Sequence, residues 1–440
     1  MSVWWIALLF LLSCSAGAVE PTPNIVLIIG DDHGYPDFGF MGSPHVQTPN
    51  LDRLAQQGSV FTHGYNTESV CKPSLRSLLT GLHPLQWEAR IEQLIASGLQ
   101  CSDADCIRGF VTLPRLLAER GYASFQGGKF WEADYEAAGF THGMQKSGAK
   151  LIPGGTGQRL GRKPMDPLYE FIDAHVDRPF FVWFAPLLPH GPFDASLEYR
   201  RPYMRRGLSN SAILYYANVT RFDDVVGQLL RQLEERGLRE RTLIVYVADN
   251  GWDQPPLLQR TDTWDGPRRK MTAHELGVRT PIIFFWPGVV PSGVVSDALV
   301  STVDLFPTLL DYAGAPQRSD RPGRSLRGLL QEGEPWKRSQ IIGRIKHARG
   351  PDDAAFPHGG SRNRGYFLGT RRWWYIWYQD TGAERLYDLS VDPRAARDIA
   401  SLHRSRVEES GRQVVAWREQ MRGSMERPAQ SRTGPAVEGW

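Results

Sequence analysis

The sequence predicts an α/β protein in which helices cover both faces of a large, mostly parallel sheet, followed by a small antiparallel sheet with a helix. Up to about residue 335, short runs rich in Val, Ile and Phe alternate with helical patterns, which is typical of buried parallel strands joined by helices. From about Trp336 the chain changes to short aromatic strands and one amphipathic helix. We therefore expect a large domain over residues 19–335 and a C-terminal α+β subdomain over residues 336–425.

Apolar runs bounded by Gly, Pro or polar residues are the predicted strands of the large sheet. They cover residues 24–30, 122–126, 179–185, 242–248 and 281–286. Helices are predicted between them, at residues 48–58, 113–120 and 217–236. Polar residues follow several of these runs. Because open α/β sheets bind ligands at the carboxyl ends of their strands, we expect the functional site there.

The C-terminal part has a different pattern. Aromatic strands are predicted at residues 365–369 and 372–378, and an amphipathic helix at residues 402–421. Residues 426–440 are rich in Pro, Gly and Ser and are expected to be disordered.

The composition is that of a globular protein. The 440 residues are 41% hydrophobic and 22% charged, as in ordinary globular proteins. The net charge of +3 is spread along the chain, so no nucleic-acid partner is expected.

Residues 1–18 have a short apolar core and a small-residue cleavage site, which predicts a signal peptide and export to the periplasm or medium. The apolar run is too short for a stable membrane span. Lipid anchoring at Cys14 remains an alternative.

The remaining cysteines fall into a close pair and a single residue. Cys101 and Cys106 are near enough in sequence to form a small loop disulfide in an oxidising compartment. Cys71 is left over, and an odd cysteine in an exported protein requires an explanation.

Cys71 precedes a predicted helix that ends at Gly81. Pro73 suits the first turn of a helix, where its missing N–H group costs nothing, and the leucines after it share one helical face. Cys71 is therefore expected at the helix N-terminus, where unpaired N–H groups favour an anionic side chain and an anionic ligand. A buried structural cysteine ahead of an ordinary core helix would explain the same pattern.

The residues around this cysteine resemble the signature of the sulfatase family. The matching positions are Cys71, Pro73, Ser74, Leu79, Thr80 and Gly81. The resemblance implies an alkaline phosphatase-like fold. It also implies oxidation of Cys71 to formylglycine by a formylglycine-generating or anaerobic sulfatase-maturating enzyme. The family's usual arginine four residues after the cysteine is replaced by Leu75, as in a branch with Pro-Ser-Leu here. Arg76 is then the candidate to brace the modified residue, after a local adjustment, since successive helical residues point about 100° apart.

Four oxygen-bearing residues follow two of the predicted strands. Asp31 and Asp32 come after residues 24–30, and Asp249 and Asn250 come after residues 242–248. Such residues are also common in solvated turns. Their oxygens suit a hard cation, Ca²⁺ more than Mg²⁺. The resemblance implies one such cation, with an oxygen of the modified Cys71 completing its ligands.

Lys129, His190 and Lys270 are the candidates for holding the ester. Lys129 matches the family's Gly-Lys pair, and His190 matches its Pro-His segment. The spacing after Lys270 reproduces a third family motif at Glu275, Gly277, Arg279 and Pro281. Fixed cations and donors stabilise the charge that builds on oxygen as an S–O bond breaks. Taken singly, each lysine is also explained as a solvated surface charge.

One further position departs from the family pattern. Sulfatases commonly have a histidine two residues after the lysine matched by Lys129, and this chain has Trp131 there. His33 and His83 lie beside the two key motifs and are the candidates to replace that histidine.

The resemblance implies a mechanism and a class of partner. The hydrate of the modified Cys71, held by the metal, attacks sulfur, and His190 or Lys270 protonates the leaving alcohol. The second hydroxyl of the hydrate then expels sulfate from the covalent sulfo-enzyme. The expected substrate is a sulfated small molecule or glycan.

Other functions remain open. One is a phosphodiesterase or phosphonate monoester hydrolase on the same fold, although a two-zinc phosphatase would need more histidines at the strand ends. Another is a non-enzymatic binder of sulfated glycans whose Cys71 stays unmodified, which Leu75 and Trp131 would allow. A disulfide-linked structural protein is disfavoured by the clustered motifs.

Overall fold

The computed structural model describes residues 22–102, 104–145, 155–253, 270–348 and 363–424. The predicted signal segment with Cys14, and the predicted disordered tail, lie outside the described residues. The strands of the large sheet are β1 (Asn24–Gly30), β2 (Ser59–Tyr65), β3 (Ala123–Gly128), β4 (His142–Gly143), β5 (Phe180–Ala185), β6 (Thr242–Ala248), β7 (Arg279–Phe285) and β8 (Val294–Ser301).

The large sheet has the order β4-β3-β5-β1-β6-β7-β2-β8, and it is mostly parallel as predicted. β7 is the exception, because it pairs antiparallel with both β6 and β2. The predicted strand 281–286 therefore begins earlier, at Arg279, and runs in the opposite direction to its neighbours. Its amino end, rather than its carboxyl end, lies at the edge of the sheet where β1 and β6 end.

Helices cover both faces of this sheet, which confirms the predicted architecture. The helices are α1 (Pro49–Gln57), α2 (Cys71–Thr80), α3 (Pro84–Ala96), α4 (Leu113–Ala118), α5 (Asp166–Asp173), α6 (Leu197–Arg200), α7 (Asn210–Glu235), α8 (Glu275–Val278), α9 (Leu305–Tyr312) and α10 (Arg404–Gly423). Leu27 and Ile29 of β1 face a core shared with α2, α4 and α9, while Val26 and Ile28 face a core shared with α1, α5 and α7. Side chains alternate between the two faces because the side-chain repeat of a strand is two residues.

α7 begins at Asn210, well before the predicted start at residue 217. Ser209 precedes it in extended conformation, and its side-chain oxygen accepts a 3.2 Å hydrogen bond from the N–H group of Ala212. This N-cap satisfies a backbone donor that would otherwise be left unpaired, so the helix extends back to it.

The C-terminal strands form the predicted small antiparallel sheet. They are β9 (Ile341–Ala348), β10 (Asn363–Gly369), β11 (Trp373–Tyr378) and β12 (Ala383–Asp388), in the order β12-β11-β10-β9. One face packs on α10, through Val414 among others. The other face packs on the large domain, where Trp374 stacks on Tyr65 with the ring centres 5.5 Å apart.

One further prediction is confirmed. Cys101 and Cys106 form a disulfide. Among the described residues, no helix has both the length and the apolar character needed to cross a membrane.

Candidate active site at the carboxyl edge of the large sheet

Cys71 is the first residue of α2, as predicted. The helix ends at Gly81, whose φ of +69° and 2.8 Å bond to the Ser77 carbonyl close its last turn. A Cβ atom at Gly81 would lie 2.6 Å from the Phe306 ring, so a glycine is required there. The Cys71 side chain is only 5% exposed and therefore faces protein.

The four predicted metal ligands lie side by side. β1 and β6 are parallel neighbours whose last residues are opposite each other, so the residues after both strands emerge together. The N–H group of Asp32 donates to Asp249 Oδ1 at 3.1 Å, and Asn250 Nδ2 donates to Asp32 Oδ1 at 2.7 Å. Asp32 adopts a φ of +61°, in the left-handed region that Asp tolerates better than most residues.

The Cys71 sulfur lies against this cluster, together with both predicted lysines. Its Sγ is 3.7 Å from Asp31 Oδ1 and 3.6 Å from Asp32 Oδ1. Lys129 Nζ donates to Asp31 Oδ1 at 2.5 Å. Lys270 Nζ donates to Asp32 Oδ1 and lies 3.2 Å from Cys71 Sγ. Tertiary structure thus gathers residues from four separate segments around one sulfur atom.

Burial and charge together set the ionisation of these groups. Burial alone would raise the pKa of Asp32, but the positive charges around it, Lys270 first, lower it to about 2. Burial and the charge of Asp31 raise the pKa of Asp249 to about 8. Burial and the charge of Asp249 also raise the pKa of the Cys71 thiol well above its usual value. Burial and the neighbouring carboxylates therefore oppose the anionic form of the thiol that the helix N-terminus is expected to favour.

The cluster fits a hard cation. Ligand atoms of Asp31, Asp32, Cys71 and Asp249 all lie within 4.8 Å of one another. Asp31 Oδ2, Asp249 Oδ2 and Asn250 Oδ1 are buried and accept no hydrogen bond. Buried acceptors without a donor are unfavourable, and a bound cation would satisfy all three at once. An oxygen-rich donor set of this kind suits calcium or magnesium rather than zinc.

His190 lies at the rim of the site. Its Nε2 is 3.7 Å from Asp32 Oδ2, and its side chain is 35% exposed. The loop that carries it is held in place by two side chains. Arg162 Nη2 donates to the His190 carbonyl at 3.0 Å, and Asn218 Nδ2 donates to the Pro189 carbonyl at 3.2 Å. The ring is therefore presented on a fixed loop with one side open to solvent.

Arg76 reaches the loop that follows β3. Its guanidinium donates to both carboxylate oxygens of Glu132, at 2.8 and 2.7 Å, and lies 4.9 Å from the centre of the Trp87 ring. The two positions that depart from the family pattern are both apolar packing positions. Leu75 belongs to the core beneath α2, and Trp131 packs against the same core.

Neither candidate to replace the family histidine is found beside Cys71. His33 is completely buried, with one ring nitrogen 2.8 Å from the Asp37 carbonyl and the other 2.9 Å from the Tyr246 hydroxyl. His83 precedes α3, at the opposite end of α2 from Cys71. The prediction that His33 or His83 replaces the family histidine is therefore wrong. The His33 ring contacts Asp37 and Tyr246 instead, and His83 lies at the far end of α2.

Sequence reasoning missed three side chains that support the site, namely Glu132, Arg162 and Asn218. Their partners are far away in sequence and form no local motif. Asn218 carries one usable signal, because it is a buried polar residue within the apolar face of α7.

Comparisons with known proteins place this geometry in a family. The model described as Sulfatase matches residues 23–315, and that described as N-sulphoglucosamine sulphohydrolase, C-terminal, matches residues 267–413. The chain is 30% identical to N-acetylgalactosamine-6-sulfatase of Canis lupus familiaris over 361 residues, in an alignment that covers 70% of this chain and 65% of the dog protein. It is also 30% identical to arylsulfatase A of Homo sapiens over 355 residues, in an alignment that covers 70% of this chain and 67% of the human protein. The chain thus spans about two-thirds of the length of these relatives.

Solved structures share the fold. Ps i-CgsB matches with a TM-score of 0.73 and 24% identity over 90% of this chain and 93% of that one. BT4656, solved in complex with D-glucosamine-2-N,6-O-disulfate, matches with a TM-score of 0.67 and 20% identity over 91% and 98%. The phosphonate monoester hydrolase of Agrobacterium radiobacter matches with a TM-score of 0.67 and 18% identity over 91% and 96%. The Sulfatase model covers more than half of the sequence, and the site residues lie at the carboxyl edge of the parallel strands, where open α/β folds bind ligands. This chain therefore belongs to the sulfatase family.

Proposed function

We propose that this protein hydrolyses sulfate esters, with an oxidised Cys71 as nucleophile and one divalent cation. The observation that carries the proposal is the position of Cys71. Its sulfur lies between the buried Lys270 and the carboxylates of Asp31 and Asp32, in a cluster where Asp31 Oδ2 and Asp249 Oδ2 are buried and accept no hydrogen bond. Membership of the sulfatase family supports sulfate-ester hydrolysis as the reaction.

Residue 71 would take part both in the attack on sulfur and in the release of sulfate. Oxidised to formylglycine and hydrated, it would offer one hydroxyl to attack sulfur and a second to expel sulfate. A thiol has one attacking atom and no second hydroxyl, so it could not complete that cycle. We propose that a formylglycine-generating or anaerobic sulfatase-maturating enzyme introduces the modification.

Asp31, Asp32, Asp249 and Asn250 would hold the cation, which would act as a Lewis acid toward the ester oxygens. We propose calcium over magnesium because calcium accepts more oxygen ligands and a less regular geometry. The unbonded oxygens of three of these residues support the assignment.

Lys129 and Lys270 would stabilise the negative charge on the sulfate oxygens. Both ammonium groups are buried, so little solvent screens them. Lys270 would also lie beside the reacting centre, because its Nζ is 3.2 Å from Cys71 Sγ. His190 would protonate the leaving alcohol, since its ring is at the open rim where the alcohol part of the substrate would extend.

We propose a sulfated carbohydrate or aryl sulfate as substrate, acted on by an exported protein. Two solved neighbours support the carbohydrate. BT4656 was solved with D-glucosamine-2-N,6-O-disulfate, and Ps i-CgsB with k-i-k-neocarrahexaose. The Cys101–Cys106 disulfide supports export, because such bonds persist in oxidising compartments.

Mass spectrometry of the Cys71 peptide, combined with kinetics on matched esters, tests the proposal. We expect a formyl group at residue 71 and a higher kcat/KM for an aryl sulfate than for the corresponding phosphate. A free thiol in a protein that turns over sulfate esters would contradict the formylglycine part. Absence of turnover, with sulfated glycans still bound, would favour the non-enzymatic binder.

The second candidate is a phosphonate monoester hydrolase or phosphodiesterase. Its support is the fold shared with the phosphonate monoester hydrolase of Agrobacterium radiobacter. A large preference for a phosphonate monoester or phosphodiester over the sulfate would establish this function instead.

A further inference from the structure

We propose that Arg76 and Glu132 are a positioning pair, which fixes the helix carrying Cys71 to the loop carrying Lys129. The inference rests on the function proposed above and assigns these two residues a role in it. They would act through Cys71 and Lys129 rather than on the substrate.

The contact between Arg76 and Glu132 is buried and has a defined orientation. The guanidinium Nε and Nη2 atoms of Arg76 lie 2.8 and 2.7 Å from the two carboxylate oxygens of Glu132, so the contact is bidentate. The two side chains are 1% and 3% exposed. Trp87 lies across the guanidinium, with 4.9 Å between Arg76 Cζ and the ring centre. Two parallel bonds define both the distance and the orientation of the groups they join.

Each partner belongs to an element that carries a site residue. Arg76 is on α2, one and a half turns after Cys71. Glu132 comes three residues after Lys129 in the loop that follows β3. The start of that loop is fixed to β5, because the Lys129 N–H group donates to the Ala185 carbonyl at 2.5 Å. Three residues further on, Glu132 ties the loop to α2.

Apart from the contacts of Cys71 and Arg76, α2 packs mostly through its leucines in the core. The side chains of Ser74 and Ser77 form hydrogen bonds with Asn66 and Thr67, which lie in the segment just before the helix and not in the loop after β3. Apolar contacts are not directional, so they define the position of a helix along its axis less sharply than a bidentate ion pair does. Replacing a buried ion pair by well-packed apolar residues is often neutral for stability. We therefore expect the effect of this pair to appear in the placement of Cys71 relative to Lys129, more than in the stability of the fold.

The test compares Arg76→Met, Glu132→Leu and the double variant, with activity normalised to the oxidised fraction of residue 71. Each single variant should melt earlier, because it removes one member of a buried ion pair. The double variant should recover most of the melting temperature. Its kcat should stay lower by about 10²-fold with little change in KM, since small displacements of reacting groups have effects of that size.

Two further variants sharpen the result. Arg76→Lys keeps the positive charge but cannot form the bidentate contact with Glu132. It should therefore retain only part of the wild-type kcat. Arg108→Met is the matched control. Arg108 pairs at 2.8 Å with Asp134, which lies in the same loop, but its own side chain is 53% exposed. Its removal should leave kcat unchanged.

Crystal structures of the wild type and the double variant provide a readout that needs no turnover. We expect Lys129 to move relative to Cys71 by about 1 Å, a displacement large enough to matter for catalysis. Superimposable sites, or a kcat that recovers together with the melting temperature, would overturn the inference. A wild type inactive on every ester would instead contradict the proposed function, and the structural comparison would still decide the role of the pair.

Discussion

At the scale of single residues, the site is made of groups that would each be unfavourable in isolation. Buried carboxylates and buried ammonium groups are costly unless they are paired. Here Lys129 contacts Asp31, and Lys270 contacts Asp32. Asp31 Oδ2, Asp249 Oδ2 and Asn250 Oδ1, which are buried and accept no hydrogen bond, are the oxygens expected to bind a cation.

We predict that Cys71→Ala is inactive and that Cys71→Ser is trapped as a sulfo-enzyme. A serine hydroxyl can attack once, but it has no second hydroxyl to release sulfate. Intact-protein mass spectrometry after incubation with an aryl sulfate measures the adduct, and circular dichroism checks that the fold is kept. Sustained turnover by either variant would contradict the proposed role of residue 71.

We predict that Asp249→Ala loses tightly held calcium and most of the activity while remaining folded. The substitution removes an acceptor from the centre of the cluster, where Asp249 Oδ2 is one of the unbonded oxygens. Metal analysis after gel filtration measures the loss. Asp304→Asn is the control, because Asp304 is equally buried but pairs with Arg338 outside the cluster. Stoichiometric zinc in the wild type would contradict the assignment of calcium.

At the scale of elements, α2 connects two different environments. Its first residue lies in the charged site, and its last turn leads into His83, the N-cap residue of α3. His83 is buried, and its ring packs edge-on against Trp417 of α10 at 5.3 Å. Burial, reinforced by the charge of Arg338, lowers the pKa of His83 to about 3.

This shift predicts a pH dependence of stability. The unfolded chain binds a proton at His83 near pH 6.5, whereas the folded chain binds it only near pH 3, so stability falls as pH decreases between these values. Between pH 6 and 4 the wild type should lose up to about 1.4 kcal/mol per pH unit more than His83→Asn. Urea unfolding of both proteins at several pH values measures the difference. If the free energies of unfolding of the two proteins ran parallel over this pH range, His83 would not contribute to the pH dependence.

At the scale of the whole molecule, the small sheet helps to build the site. Trp374 of β11 stacks on Tyr65 and Phe367, and its indole N–H group donates to the Ala273 carbonyl at 2.8 Å. Ala273 is three residues after Lys270, so the C-terminal part of the chain supports the segment that brings this lysine to Cys71.

We predict that Trp374→Ala lowers the free energy of unfolding by about 3–5 kcal/mol, the usual cost of emptying a large aromatic site. Trp374 is fully buried, so the cavity cannot be filled by solvent without further loss. Chemical denaturation measures the change. Trp377→Ala is the control and should cost less, because Trp377 is only partly buried and stacks on Tyr366 on the other face of the strand. Equal losses would contradict the supporting role of Trp374.

The sequence by itself determined the features that depend on local patterns. The strands at residues 24–30 and 242–248 were predicted to the residue, because each is a short run rich in Ile and Val that is closed by an aspartate, Asp31 or Asp249. The N-terminal position of Cys71 and the stop at Gly81 follow equally local rules. The rule that parallel strands end at a common edge placed Asp31 and Asp249 on the same edge of the sheet, and the pairing of β1 with β6 brought them together.

Tertiary structure alone decided what depends on which distant segments become neighbours. Arg76 binds Glu132 across 56 residues, and Arg162 holds the His190 carbonyl across 28. The direction of β7 depends on its place between β6 and β2, and a short apolar run looks the same in either direction. His33 had a promising position in the sequence, but its ring lies between Asp37 and Tyr246. Side-chain orientation and long-range pairing result from packing the whole chain at once, and no local pattern contains them.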